Sequence, residues 1–289
     1  MNFLKKLFLP VTAPIEFVQN NFKTVLLIVI VIILAIPKEK DLTHVVNLQK
    51  INLSGPIMEP SEVLKQIETA TNNKNIKGVL FIVDSPGGSV APSVEISYAI
   101  KRLREKKPVV AYAKGIMASG SYYSSIWANS IVANPGSMIG SIGVILEGVN
   151  INELMKKIGV QTQIIQAGKY KQVATPTRAW KNYEVDELNK VIQDTYNMFV
   201  GDVAKARKLN IEDKHIFADA HIFTASQAKK AGLIDKVGVI YDAKKQLIKL
   251  SGVKKPIWNQ EDKFDKIMKK LTAMSSVVLY TYFPSITLK

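Results

Sequence analysis

The sequence predicts an α/β protein built on a parallel sheet. Runs of β-branched and apolar residues such as GVLFIVDS alternate with segments of 3.6-residue apolar periodicity such as PSEVLKQIETATNN, and the runs close in glycine or proline turns. Composition agrees: 47% hydrophobic and 22% charged residues over 289 positions suit a folded body with ample core. No internal repeat or low-complexity tract interrupts the alternation.

Taken in order, HVVNLQKINLSG reads as an opening strand closed by Gly55-Pro56, and PSEVLKQIETATNN as an amphipathic helix with Ser61 as its N-cap. GVLFIVDSPGG is a buried strand ending in a Pro-Gly-Gly turn. VEISYAIKRLREKK is a helix whose basic end suits its C-terminal dipole. PVVAYAKG is the next strand, and MASGSYYSSIWA leads through small residues into a helix. SIVANP and SIGVIL read as short strands, INELMKKIG as a helix and VQTQIIQAG as a further, buried strand. EVDELNKVIQDTYNMFVGDVAKARKL is a long helix, and IFTASQAKKAGLIDKVG a helix–turn–strand unit.

Ahead of this body, Val25 to Ile36 is twelve consecutive apolar residues. A helix of that length covers only about 18 Å of a roughly 30 Å hydrocarbon core. Phe22 to Pro37, with Lys23 snorkelling, extends it to sixteen. LAIPKEK lacks the small-residue pattern of a cleavage site, so an uncleaved signal anchor is expected. Lys5, Lys6 and Lys23 outweigh Glu16 before it, whereas KEKD after it cancels; the positive-inside rule then puts the N-terminus in the cytoplasm and the body outside. The expected organisation is a short cytoplasmic segment (1–23), a transmembrane anchor (24–37), an α/β body (45–238) and a basic C-terminal extension (239–289).

The formal net charge is +15, from 39 Lys+Arg against 24 Asp+Glu. Ten lysines against four acids lie from Asp242 onward, and the rest are scattered, with no Arg-rich stripe interleaved with aromatics. Anionic lipid therefore suits this charge better than nucleic acid does. In the tail, DKFDKIMKKL is amphipathic. It reads as a helix packing on the body or a neighbouring subunit. A helix lying on the membrane, or an apolar run SSVVLYTYFPSI entering a substrate groove, are the sharper alternatives.

Zero cysteines exclude a disulfide framework, a thiol nucleophile and thiolate metal sites. Only His44, His215 and His221 could act as imidazole bases, and they flank the body, where surface or capping roles are expected. No metal and no cofactor are expected. Three small-residue loops stand out: Asp84 to Gly88, Met117 to Ser121 and Gly140 to Gly143. None matches a phosphate-binding or dinucleotide motif. Strand-to-helix turns point free backbone N–H groups outward, the geometry that holds an oxyanion, although ordinary βα turns look the same. Ser119 sits in the second loop like an exposed nucleophile. Such a serine needs a base, and a desolvated lysine is the remaining candidate; Lys171, after the expected strand VQTQIIQAG, differs only mildly from Lys169 in this respect.

MASGSYY, GSIGVI, GKYK and IFTASQAKKAGLID, with DSPGG before them, together resemble the signal peptide peptidase A family over about Val45 to Gly238. The resemblance implies a Clp/crotonase fold, a repeated ββα spiral, carrying a Ser/Lys protease. It makes Ser119 the nucleophile, Lys171 the general base and Ser141 the residue that orients the base. Backbone N–H groups of Gly87 or Gly88 and of Gly120 become the oxyanion hole. It further implies half-size subunits in a homo-oligomeric ring, with serine and lysine from neighbouring subunits, and signal-peptide remnants as substrates. Ser121 stands where the family has a second glycine, a departure expected to bear on substrate fit. A lysine base predicts activity rising towards alkaline pH. An acyl-CoA enzyme of the crotonase type and a catalytically inactive membrane scaffold are the rival readings.

Overall fold

The computed structural model describes residues 19–24, 26–27 and 45–259. The chain divides into two units, Met1–His44 and Val45–Lys289. In the first, the described residues form helical turns. Among the described residues no helix is long and apolar enough to cross a membrane. Most of the expected anchor (24–37), and the amphipathic tail segment, lie outside them.

The second unit carries a seven-stranded sheet. Its strands are β1 (Leu48–Ser54), β2 (Gly78–Ser85), β3 (Val109–Ala118), β4 (Ser130–Ala133), β5 (Met138–Gly140), β6 (Ile222–Thr224) and β7 (Lys236–Val237). The order is β1-β2-β3-β4-β7, with β5 joined to β3 and β6. Every pairing is parallel except β5 with β6. The helices are α1 (Ser61–Asn72), α2 (Val90–Lys106), α3 (Gly120–Ser125), α4 (Asn152–Lys157), α5 (Asn182–Arg207), α6 (Lys214–Phe217), α7 (Ala225–Lys230) and α8 (Ile240–Ser251).

Burial on both faces explains why β2 reads as an unbroken apolar run. Val79, Phe81 and Val83 point into the main core with Ile96, Ile100 and Leu103 of α2. Leu80 and Ile82 point to the opposite face, where Ala243 and Leu247 of α8 cover them. The basic helix after Val239 is thus one of the sheet's two coverings.

β3 serves two partners in succession. Val110 to Ala113 pair with β4, and Ile116 to Ala118 pair with β5. Between them the β2–β3 register shifts, and Asp84 accepts a hydrogen bond from the N–H of Ile116 at 3.1 Å. A Cβ at Gly115 would lie 2.6 Å from the Asp84 carboxylate, so any larger residue there would push that side chain aside.

Four expectations are corrected. Ser61 is the first residue of α1 and not its cap; its N–H and hydroxyl both bond Glu59 instead. α2 begins at Val90, a turn earlier than its periodicity suggests, with Pro92 in the first turn where a missing N–H costs nothing. The strand expected at SIGVIL lies just before it, at Met138–Gly140. VQTQIIQAG is not a strand, and Ile165 is fully exposed. β-branched residues form a strand only where a sheet edge is offered, and β5 already occupies the second half of β3.

Candidate active site

Ser119 follows β3 and precedes α3 on a strained turn, with φ 52° and ψ −126°. A non-glycine residue in such a conformation costs about 1–3 kcal/mol and persists only where its surroundings over-determine it. Here they do. The Ser119 N–H donates to Gly140 O at 2.7 Å, and its carbonyl accepts from Tyr123 N at 3.0 Å. The fully buried Ser121 hydroxyl accepts from Ala118 N at 2.9 Å and donates to Ser85 O at 2.6 Å. Ser121 therefore faces inward and fastens the serine turn to the end of β2. The expectation that it bears on substrate fit is corrected: its hydroxyl is spent on the backbone.

The Pro-Gly-Gly loop after β2 lies against the same turn. A Cβ on Gly87 would stand 2.7 Å from Gly120 N, and one on Gly88 would stand 2.2 Å from Ile57 O, so both approaches require glycine. The two glycines differ as donors. Gly87 N–H is directed to Ser85 Oγ at 3.2 Å. Ile57 N donates to Gly87 O and Ser89 N to Ile57 O, a parallel bridge that turns the N–H of the intervening Gly88 to the opposite side. Gly120 is the first residue of α3, so its N–H has no acceptor inside the helix.

Ser119, Gly88, Gly120 and Ser141 line one cavity of about 320 Å³. Ser141, at φ 50°, is held by its N–H donating to His221 O at 2.8 Å. The remaining wall is mainly apolar, with Val90, Val94, Val144, Ile145, Met198 and Phe199 among its residues. Tyr123, also in the wall, donates its hydroxyl to Asp202 and packs edge-on against Phe199. Burial, reinforced by Asp202, pushes the Tyr123 hydroxyl far above its ordinary range and keeps it a neutral donor. Among the described residues no histidine lines the cavity: His215 and His221 are exposed, as expected.

Lys171 is not among the residues lining this cavity, and it is exposed. It lies in a run of turns between α4 and α5, where Lys171 N donates to Gly168 O and Val173 N to Tyr170 O. The buried strand expected before it, as the source of desolvation, is absent. Gathering the candidates thus gives a split result: Ser119, Ser141, Gly88 and Gly120 come together with Gly87 beneath them, and Lys171 of the same chain does not join them.

The turns around Lys171 are secured by a group that sequence reasoning missed. Arg178 makes a two-pronged ion pair with the fully buried Glu184, both N···O distances being 2.7 Å. The hydrogen bonds from Arg178, then the one from Lys181 N–H, pull the Glu184 carboxyl from 4.5 down to about 2. The available signal was one arginine six residues before a glutamate in a lysine-rich stretch, which by itself reads as a solvated surface.

The profile of Peptidase family S49 matches residues 101–254, more than half of the chain and inclusive of Ser119, Ser141 and Lys171. The chain belongs to peptidase family S49. A Methanocaldococcus jannaschii protein with a provisional protease name is 41% identical over 66% of this S49 chain and 61% of its own length. The chloroplastic serine protease SPPA of Arabidopsis thaliana is 32% identical over 64% of this chain and 28% of its own. The chain therefore spans less than two thirds of either relative. Among solved structures, the 1510-N membrane-bound stomatin-specific protease, as a lysine-to-alanine mutant with a substrate peptide, superposes with a TM-score of 0.53. It covers 79% of this chain and 98% of its own at 18% identity, a likeness that carries the fold alone.

Proposed function

We propose that this S49 chain is a membrane-anchored serine endopeptidase with a Ser119/Lys171 dyad, cleaving signal-peptide remnants and other short hydrophobic or unfolded peptides. One observation carries the reading most: Ser119 on a strained turn opens into an apolar cavity beside the unspent N–H groups of Gly88 and Gly120. Neutral Lys171 takes the proton of Ser119 Oγ as that oxygen attacks the scissile carbonyl. Gly88 and Gly120 N–H hold the tetrahedral oxyanion; removing one such donor costs roughly 10²–10³ in rate. Protonated Lys171 then gives its proton to the leaving amine, and water releases the acyl group from Ser119. Ser141 orients the lysine.

Because Lys171 is exposed and outside its own chain's cavity, the reading supplies it from a neighbouring subunit of a homo-oligomer, where burial would favour the neutral amine. Exposed Ile145, Val149, Ile158 and Ile165 on the same segment suit a surface that a second copy covers. The N-terminal anchor places the chain in the cytoplasmic membrane with its body outside, and the mainly apolar cavity suits peptides of membrane origin.

Hydrolysis of a fluorogenic hydrophobic peptide by wild type, Ser119→Ala and Lys171→Ala tests the dyad. Turnover by wild type alone, rising towards alkaline pH, is expected. Full activity in either variant, or a flat pH–rate profile down to about pH 5, sinks the assignment.

A further inference from the structure

We propose that Arg178, Glu184 and Tyr183 form a clamp that positions Lys171, so that three residues remote from the serine set the geometry of the base. The proposal rests on the reading of Lys171 as general base. Lys171 is exposed, follows exposed residues and has no sheet to hold it, yet the chain is gripped just before it and just after it, where Gln172 is half-buried. Before it, the Tyr183 hydroxyl donates to Lys169 O at 3.2 Å. The Tyr183 ring meets Tyr170 edge-on at 5.5 Å and lies under the Lys169 ammonium at 4.7 Å. After it, Arg178 Nη2 donates to Gln172 Oε1 at 3.1 Å.

Both grips are rooted at the start of α5. Tyr183 is its second residue, and Glu184 accepts both prongs of Arg178 together with the N–H of Lys181 at 2.8 Å. Trp180 Nε1 donates to Thr175 O at 3.1 Å and closes the loop between the two. A glutamate with no exposed surface, in a segment otherwise open to solvent, is costly unless paired. An arginine fork fixes both distance and plane, which a lysine in its place would not. The clamp engages the side chains of Lys169, Tyr170 and Gln172 and leaves that of Lys171 to project from a loop fixed at both shoulders. Tyr183, Arg178 and Glu184 are thus positioning residues; only Lys171 would meet the reacting atoms.

Steady-state kinetics on the full chain with a hydrophobic fluorogenic peptide test this. The deciding variant is Gln172→Ala/Tyr183→Ala, which removes both grips, the ring contacts included, and leaves both residues of the buried ion pair in place. Its kcat should fall about tenfold or more with KM changed much less, since misplacing a catalytic group by about 1 Å can cost 10²-fold. Arg178→Gln should lose at least as much, and Arg178→Lys should recover only part. Wild-type kcat in the double variant, with Lys171→Ala inactive, overturns the clamp and spares the base. Full activity of Lys171→Ala overturns the base and the clamp with it. Should Arg178→Gln fail to fold, the double variant alone decides.

Discussion

The hydroxyl of Ser121 donates to the carbonyl oxygen of Ser85 at 2.6 Å, with no solvent exposure at either residue. This one bond joins the end of β2, which leads into the Pro-Gly-Gly loop, to the turn that presents Ser119. The same oxygen of Ser121 accepts from Ala118 N, and Ser85 Oγ accepts from Gly87 N. Two loops distant in sequence are thereby held in one register.

Ser121→Ala should consequently destabilise the chain and impair catalysis together. It leaves Ala118 N–H and Ser85 C=O buried without this partner, at about 1–3 kcal/mol. Ser121→Gly should behave alike, because the hydroxyl and not the backbone conformation carries the effect. Urea midpoints and peptide turnover for both variants check this; a glycine variant as stable and active as wild type contradicts it.

Gly88→Ala tests the close approach of the loop to Ile57. The added methyl would stand 2.2 Å from Ile57 O and 2.6 Å from Ile57 N, and backbone cannot swing aside as a side chain can. The Gly88 N–H must then move away from Ser119. A loss of roughly 10²-fold or more in kcat is expected with secondary structure retained, in line with loss of an oxyanion donor. Wild-type kcat with circular dichroism unchanged would refute the donor role.

The Arg178–Glu184 pair gives a pH signature. Glu184 titrates at about 2 when folded, below its ordinary 4.5, so its contribution is complete above about 4.5 and disappears as pH falls towards 2. Wild type should exceed Glu184→Gln in stability at neutral pH, and the gap should narrow across that acid window. Urea melts at neutral pH and at about pH 3 measure it. A gap that is unchanged at low pH would show that the carboxylate charge is not what stabilises.

Val94→Phe should narrow the cavity beside Ser119. One methylene in an apolar pocket is worth about 1–3 kcal/mol, so a ring should disfavour peptides with bulky residues at the cleavage point by tenfold or more in kcat/KM. Peptides with small residues there should be much less affected. Equal losses for both peptide classes would mean that the cavity does not select side chains.

The parallel sheet was legible because β2 and β3 are buried on both faces, and a short continuous apolar run bounded by turns suits a strand covered on both sides. The Ser119 turn was legible because its glycines and serines tolerate close approach. SIGVIL and VQTQIIQAG misled because propensity reports what a segment can pair with, not whether an edge remains free. Arg178 and Glu184 were invisible as functional residues, and Ser121 was visible only as a departure whose role was misjudged: its partners include Ser85, 36 residues away, and Glu184 is buried at the start of α5.

By itself the sequence determined the alternation of strands and helices, the absence of thiol chemistry, and Ser119 and Lys171 as candidates, since periodicity and composition are properties of the chain taken locally. Tertiary structure alone decided which glycine has an N–H to spare, that Ser121 faces inward, and that Lys171 stands apart from the serine of its own chain. Those outcomes depend on distances between segments far apart in sequence, which no local pattern encodes.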